Sequence, residues 1–230
     1  MSKRPKVSKI TAEILRVDSS ALHPDDIGRA AEILGNEGVV VFPTTGLYGL
    51  AADARCVAAV RRVFAIKRRS ARKPLLVLLS GLEDMPTLVR AVPDYAQSLL
   101  GLWPGGVTLV FQAADAVPVE LTGGTGKIGV RLPAHPVARA LVKRFGGPIT
   151  ATSANRSGDP AAAAVADLAP EILGQVDLVL DAGTLAGGAG STVVDVTDWP
   201  VRVIREGAVP RQAIEEALIP IRGASPVRWA

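Results

Sequence analysis

Apolar residues recur along this chain at two spacings. In "HPDDIGRAAEILGNEG" they return every three or four positions, which predicts a helix that begins near Asp25 and stops at glycine. From Cys56 to Lys67 the same spacing carries Val57, Val60, Val63 and Phe64 on one face, with Arg61 and Arg62 turned outward. "HPVARALVKRF" and the stretch after Pro210 read as further helices, with shorter ones around Pro86–Ala91, Asp94–Leu100 and Val165–Leu173. Between them lie short apolar runs: "EILRV", "VVVFP", "PLLVLL", "VTLVFQ", "IGVRLP", "VDLVLD", "STVVDVT" and "VRVIRE", with "PITATSAN" running from a strand into a polar loop. Many of these are apolar on both faces, as strands covered on both sides are. "TTGLYGLAAD" reads as a loop.

Alternation of strands and helices predicts an α/β fold: one domain built on a twisted, mixed, mostly covered sheet flanked by helices. Residues 1–9 read as a basic tail, 10–220 as the domain and 221–230 as a C-terminal tail. In such sheets ligands gather at loops leaving strand ends, here "PTTGLYGL", "TSANRSG" and "GGAGST".

Charge narrows the picture. The formal net charge is +4, and Lys3, Arg4, Lys6 and Lys9 alone supply four positive charges. The body is therefore near neutral, and basicity is local rather than a global nucleic-acid surface. Cys56 is the only cysteine, which excludes an internal disulfide and fits a reducing, cytoplasmic compartment. No uninterrupted apolar span reaches membrane length, so no membrane partner is expected. His23 and His135 both precede prolines and read as turn or helix-entry residues. With so few ligating side chains there is no zinc spacing, and no protein-held metal is expected.

Candidate chemistry sits in four places. "KRRSARK", Lys67 to Lys73, packs five cations into seven residues ahead of an apolar run. A helix C-terminus attracts cations through its dipole, which accounts for one or two of them. Lys67 and Arg69 can both serve an anion if the helix ends between them and the chain turns. On spacing alone, a solvated helix end and an anion pocket both stand. In "TATSAN", Ser153 and Asn155 alternate and would point the same way from an extended segment. Arg131 interrupts an apolar strand, and a buried arginine needs an acceptor, either an internal carboxylate or a ligand. "GGTGKI" looks like the end of a phosphate-binding P-loop. Leu121 and Ile128 stand where that motif needs glycine and Ser or Thr, so it reads as a turn before a strand.

Taken in order, "VVVFPTTGLYGLAADA", "VFAIKRRSARKPL", "LWPGGVTLVF", "GVRLPAHPVA", "TATSAN", "STVVDVT" and "VIREG" resemble the YrdC-like family, from about Val39 to Gly207. The resemblance implies a concave nucleotide-binding surface and L-threonylcarbamoyladenylate synthesis from L-threonine, bicarbonate and ATP, with release of pyrophosphate. It implies Lys67, Arg69, Lys73, Ser153, Asn155 and Arg205 on ATP, with Lys67, Arg69, Ser153 and Asn155 closest to the chemistry. It implies Thr44, Arg131, Ala151 and Ser191 around threonine, and Mg²⁺ arriving with the triphosphate. The product would pass to a downstream threonylcarbamoyl-transfer machinery acting on tRNA, with direct RNA binding as a further expectation. A non-catalytic RNA-binding relative and a carbamoyl-transfer enzyme using another donor remain as alternatives. The reaction suits a site without a protein nucleophile, since positioning and preorganised cations can supply the catalysis.

Two positions depart from the family pattern. Gly46 stands where a hydroxyl residue is common, and Leu78 where a histidine is common. Both changes concern the amino-acid side. They lead to the expectation of looser selection for the threonine hydroxyl, sharpened by Gly46→Thr.

Overall fold

The computed structural model describes residues 12–218 and 227–229; the basic segment 1–9 and much of 221–230 lie outside the described residues. The chain opens with β1 (Glu13–Arg16), α1 (Pro24–Gly35), β2 (Val40–Pro43), β3 (Tyr48–Ala51) and α2 (Val57–Lys67). There follow β4 (Leu76–Leu78), β5 (Val107–Gln112), β6 (Lys127–Arg131), β7 (Ile149–Thr150) and β8 (Thr152–Ser153). The last strands are β9 (Leu178–Asp181), β10 (Thr192–Asp195), β11 (Val201–Arg205) and β12 (Val227–Trp229). The α/β class and mixed pairing are as the pattern predicts, but the strands divide between two sheets. One runs in the order β1-β9-β2-β3-β8 and the other β12-β11-β10-β5-β6-β4-β7.

Local chemistry explains the main helices. α1 turns Ile27, Ala30, Ala31 and Leu34 inward, starts with Pro24 in its first turn, and is entered through His23, whose ring nitrogen accepts the Asp25 amide at 3.4 Å. Helix Pro136–Phe145 buries Val137, Ala138, Leu141 and Val142 and ends at Gly146, in the left-handed region. These two helices cover one face of the first sheet, where Val40, Phe42 and Leu178 meet them. The other face of that sheet, through Val41, Leu50 and Val179, joins the larger core.

One expectation fails here. Tyr48–Ala51 forms a strand within the stretch read as a loop, and it pairs antiparallel with β2. A glycine inside a strand normally weakens it. Gly49, however, lies against Phe42, and a Cβ there would stand 3.1 Å from the Phe42 ring. Packing, not flexibility, selects this glycine.

The sheets are joined where β7 gives way to β8. Thr150 belongs to the second sheet and Thr152 to the first. The fully buried Thr150 donates its amide to Ala52 O at 2.9 Å and accepts the Ala52 amide on Oγ1 at 3.0 Å. Thr150→Val keeps the shape but leaves the Ala52 N–H unpaired in the core. Urea denaturation should show a loss of about 1–3 kcal/mol with an unchanged m-value. No loss would mean that this bond does not fasten the sheets.

Candidate active site

The second sheet buries one face in the core through Val77, Leu109, Ile128, Val130 and Val194. Alternation therefore turns Leu76, Thr108, Val110, Lys127, Gly129, Arg131, Val193 and Asp195 to its other face, and these residues floor a cavity of about 620 Å³. β3, β8 and the Thr44–Leu47 turn supply a wall, through Thr44, Tyr48, Thr152 and Ser153. Four of the cavity's charged side chains are cations: Arg69, Lys127, Arg131 and Arg205. The fifth, Asp195, accepts Lys127 Nζ at 2.8 Å and so is already paired.

Arg131 decides what this surface can hold. It is 8% exposed, and its Nε has no hydrogen-bond partner. Among the described residues no carboxylate pairs with it, so its donors are available to a ligand. Burial, with the Arg205 charge adding, holds the guanidinium down to about 10. Arg205 lies on β11 and donates Nε and NH2 to Ser191 O at 3.2 and 2.8 Å. Ser191 Oγ meets Thr108 Oγ1 at 2.8 Å. An anion entering here would meet several preformed donors in a half-enclosed space.

The basic segment behaves as two groups. α2 ends at Lys67, and Arg68 takes a left-handed conformation, φ 49°, so the chain turns sharply there. Arg68, Arg72 and Lys73 are exposed. Arg69 turns into the cavity, held by donation to Lys73 O at 3.2 Å and Pro74 O at 2.9 Å. Burial and Arg205 lower its pKa.

Lys67 goes elsewhere. It is 2% exposed and does not line the cavity. Its ammonium donates to Ser153 O, to Asn155 O at 2.7 Å and to Asn155 Oδ1 at 3.0 Å. Asn155 Oδ1 also accepts Ser153 Oγ at 2.5 Å, and Asn155 Nδ2 donates to Asp159 O at 2.5 Å. Lys67 and Asn155 thus lie behind Ser153 and fix it at the cavity wall. Burial, then the Arg69 charge, brings the Lys67 pKa down to about 8.

Of the residues singled out from sequence, Thr44, Arg69, Arg131, Ala151, Ser153, Ser191 and Arg205 line the cavity. Lys67, Lys73 and Asn155 do not. The two departures also fall off its surface. Leu78 is fully buried in the smaller core. Gly46 has no room for a side chain, because a Cβ there would lie 2.1 Å from Gly187 O. Gly46→Thr therefore cannot simply restore a missing hydroxyl. Sequence reasoning missed Tyr48, Thr108, Lys127 and Asp195. Period two along β6 from Arg131 would have reached Lys127, and Asp195 interrupts an apolar strand as Arg131 does.

An open sheet face carrying three guanidiniums, one of them buried without an internal acceptor, is a surface suited to a small polyanion. The Sua5/YciO/YrdC family model, described as telomere recombination, matches residues 32–207. The chain belongs to this family. It is 37% identical over 84% of its length to a threonylcarbamoyl-AMP synthase of Pyrococcus abyssi, of which it spans 57%. To the Xanthomonas campestris protein of the same name it is 35% identical, covering 82% of this chain and 98% of that one. Among solved structures, that of P. abyssi Sua5 complexed with L-threonine superposes with a TM-score of 0.86 at 34% identity, covering 94% of this chain and 62% of that one.

The buried lysine gives the site a testable pH signature of two opposite signs. The Lys67 pKa is lower in the fold than its ordinary 10.5, so the unfolded chain binds more protons between about 8 and 10.5. Its contribution to stability is full above that window and is lost as pH falls through about 8. Affinity of the cavity for a polyanion probe should move the other way, because a neutral amine cannot donate to all the oxygens around it. Calorimetric titration with a non-hydrolysable nucleoside triphosphate should show binding that weakens as pH rises through about 8 in wild type, and weak, pH-independent binding in Lys67→Met. A flat wild-type profile would contradict the role given to this ammonium.

Proposed function

We propose that the chain makes L-threonylcarbamoyladenylate and pyrophosphate from L-threonine, bicarbonate and ATP, for threonylcarbamoyladenosine modification of tRNA. One observation carries the reading: a buried guanidinium without an internal carboxylate shares a cavity with two more guanidiniums. The first suits an amino-acid carboxylate and the others a polyphosphate. The names of the P. abyssi and X. campestris relatives support it, as does the L-threonine in the P. abyssi structure.

The threonine amine adds to the carbon of bicarbonate with loss of water, giving a carbamate. A carbamate oxygen then attacks the α-phosphorus, and the bond to the β-phosphate oxygen breaks to release pyrophosphate. Arg131 holds the threonine carboxylate, with Thr44, Ala151 and Ser191 around it. Arg69, Arg205 and Ser153 face the phosphates, Lys67 and Asn155 steady Ser153, and Lys73 stands at the exposed approach. No side chain has to become covalently attached, because position and fixed charge lower the barrier. Asp195, the cavity's carboxylate, is engaged by Lys127. Mg²⁺ would therefore enter on the triphosphate, held by phosphate oxygens and water. The adenylate then passes to a threonylcarbamoyl-transfer machinery.

Pyrophosphate release should require ATP, bicarbonate and L-threonine together, and the carbamoyl-adenylate should form in equal amount. Orthophosphate as the sole phosphate product would mark an ATPase and end this reading. In the same assay, Arg69→Ala should lower turnover roughly a hundredfold or more, as loss of a preorganised donor does. Arg72→Ala, at an exposed position, should stay within about twofold. Equal, small losses at both would return the cluster to a solvated helix end.

A further inference from the structure

Residues 182–190, "AGTLAGGAG", have no regular structure, yet they are fastened along their length. Tyr48 donates its hydroxyl to Gly183 O at 2.7 Å and accepts the Ala182 amide at 3.0 Å. Leu185 N donates to Ala163 O at 2.8 Å, Gly187 N to Gly46 O at 2.9 Å, and Ala208 N to Gly190 O at 2.8 Å. Leu185 also packs against the main core. Gly183, Gly187 and Gly188 adopt positive φ, which lets the segment follow this path.

The tightest contact is at Gly46. A Cβ there would lie 2.1 Å from Gly187 O and 3.2 Å from Gly187 C, so the segment seats only on a residue without a side chain. Gly46 itself is outside the left-handed region, so space and not backbone conformation requires glycine. Thr44, two residues earlier, lines one side of the cavity. Ser191, immediately after the segment, lines another. The segment thus connects two walls of the cavity that Arg131 lines.

We propose that residues 182–190 are a strap that sets the separation of Thr44 from Ser191, and so the fit of the amino acid, with Gly46 and Tyr48 as its positioning residues. The proposal rests on reading the Arg131 end as the amino-acid site. The space that a hydroxyl side chain at 46 would use is filled by a peptide carbonyl. Selection for a small amino acid therefore comes from the seated backbone of the strap.

The test joins amide hydrogen exchange with calorimetric titration of L-threonine, in the presence of a non-hydrolysable ATP analogue, on wild type, Gly46→Thr and Tyr48→Phe. Gly46→Thr should unseat the strap, raising exchange at Leu185 and Gly187 about tenfold or more. It should weaken L-threonine about tenfold or more while leaving the analogue within about twofold. Tyr48→Phe keeps the ring and removes the two latch bonds, and should act in the same direction, more weakly. It also carries the test if Gly46→Thr does not fold. Unchanged exchange and affinity in the folded variants would overturn the proposal. So would a loosened strap with unchanged threonine affinity, or an equal loss of both ligands. A wild-type chain that takes no L-threonine would strike the underlying reading first, before any variant is compared.

Discussion

The bonds between Thr150 and Ala52 fasten two sheets at the point where the chain leaves one and enters the other. Both residues are wholly buried, so no water competes for these groups. One residue further, the Ala151 amide donates to Leu76 O at 2.9 Å, which pins the crossover to the cavity floor. Ser153 then arrives on the wall, where Lys67 holds it from behind. The crossover thus converts a packing solution into a site. It brings a wall from the first sheet over the uncovered face of the second.

That uncovered face carries an electrostatic cost. Arg69 and Arg131 each have a lowered pKa, from burial first and then from the charge of Arg205. A buried guanidinium beside like charges and without a counter-ion destabilises a fold, and a polyanion placed among them relieves both burial and repulsion. Lys127 and Asp195 at the other end of β6 and β10 neutralise each other instead. The surface is therefore polarised, with unpaired cations near Arg131 and a satisfied pair further along the strand. A ligand with several negative groups has one favoured end.

Much of this was legible in the sequence because burial imposes period. Strands that are apolar throughout announced themselves, and Arg131 stood out as a charge within one of them. The helix end at Lys67 is legible in the apolar spacing, whereas the turn that separates Lys67 from Arg69 stands in the sequence only as a condition for an anion pocket. What stayed hidden depends on contacts between distant segments. β3 was read as a loop because its glycine fits under Phe42, which no local pattern reveals. Lys67 was grouped with Arg69, although its acceptors are carbonyl oxygens eighty-six and eighty-eight positions away. Gly46 was read as a lost hydroxyl, whereas the approach of Gly187 leaves it no space. Residue identity suggests a chemistry, but only the tertiary approach shows which groups face the cavity.

The central claim is that the unpartnered guanidinium of Arg131 awaits the carboxylate of an amino acid. A crystal structure of this chain with L-threonine tests it most directly. The account predicts the carboxylate within hydrogen-bond distance of the Arg131 guanidinium, with Nε as one of the donors. A threonine carboxylate bound elsewhere, with Arg131 Nε still lacking an acceptor, would contradict it.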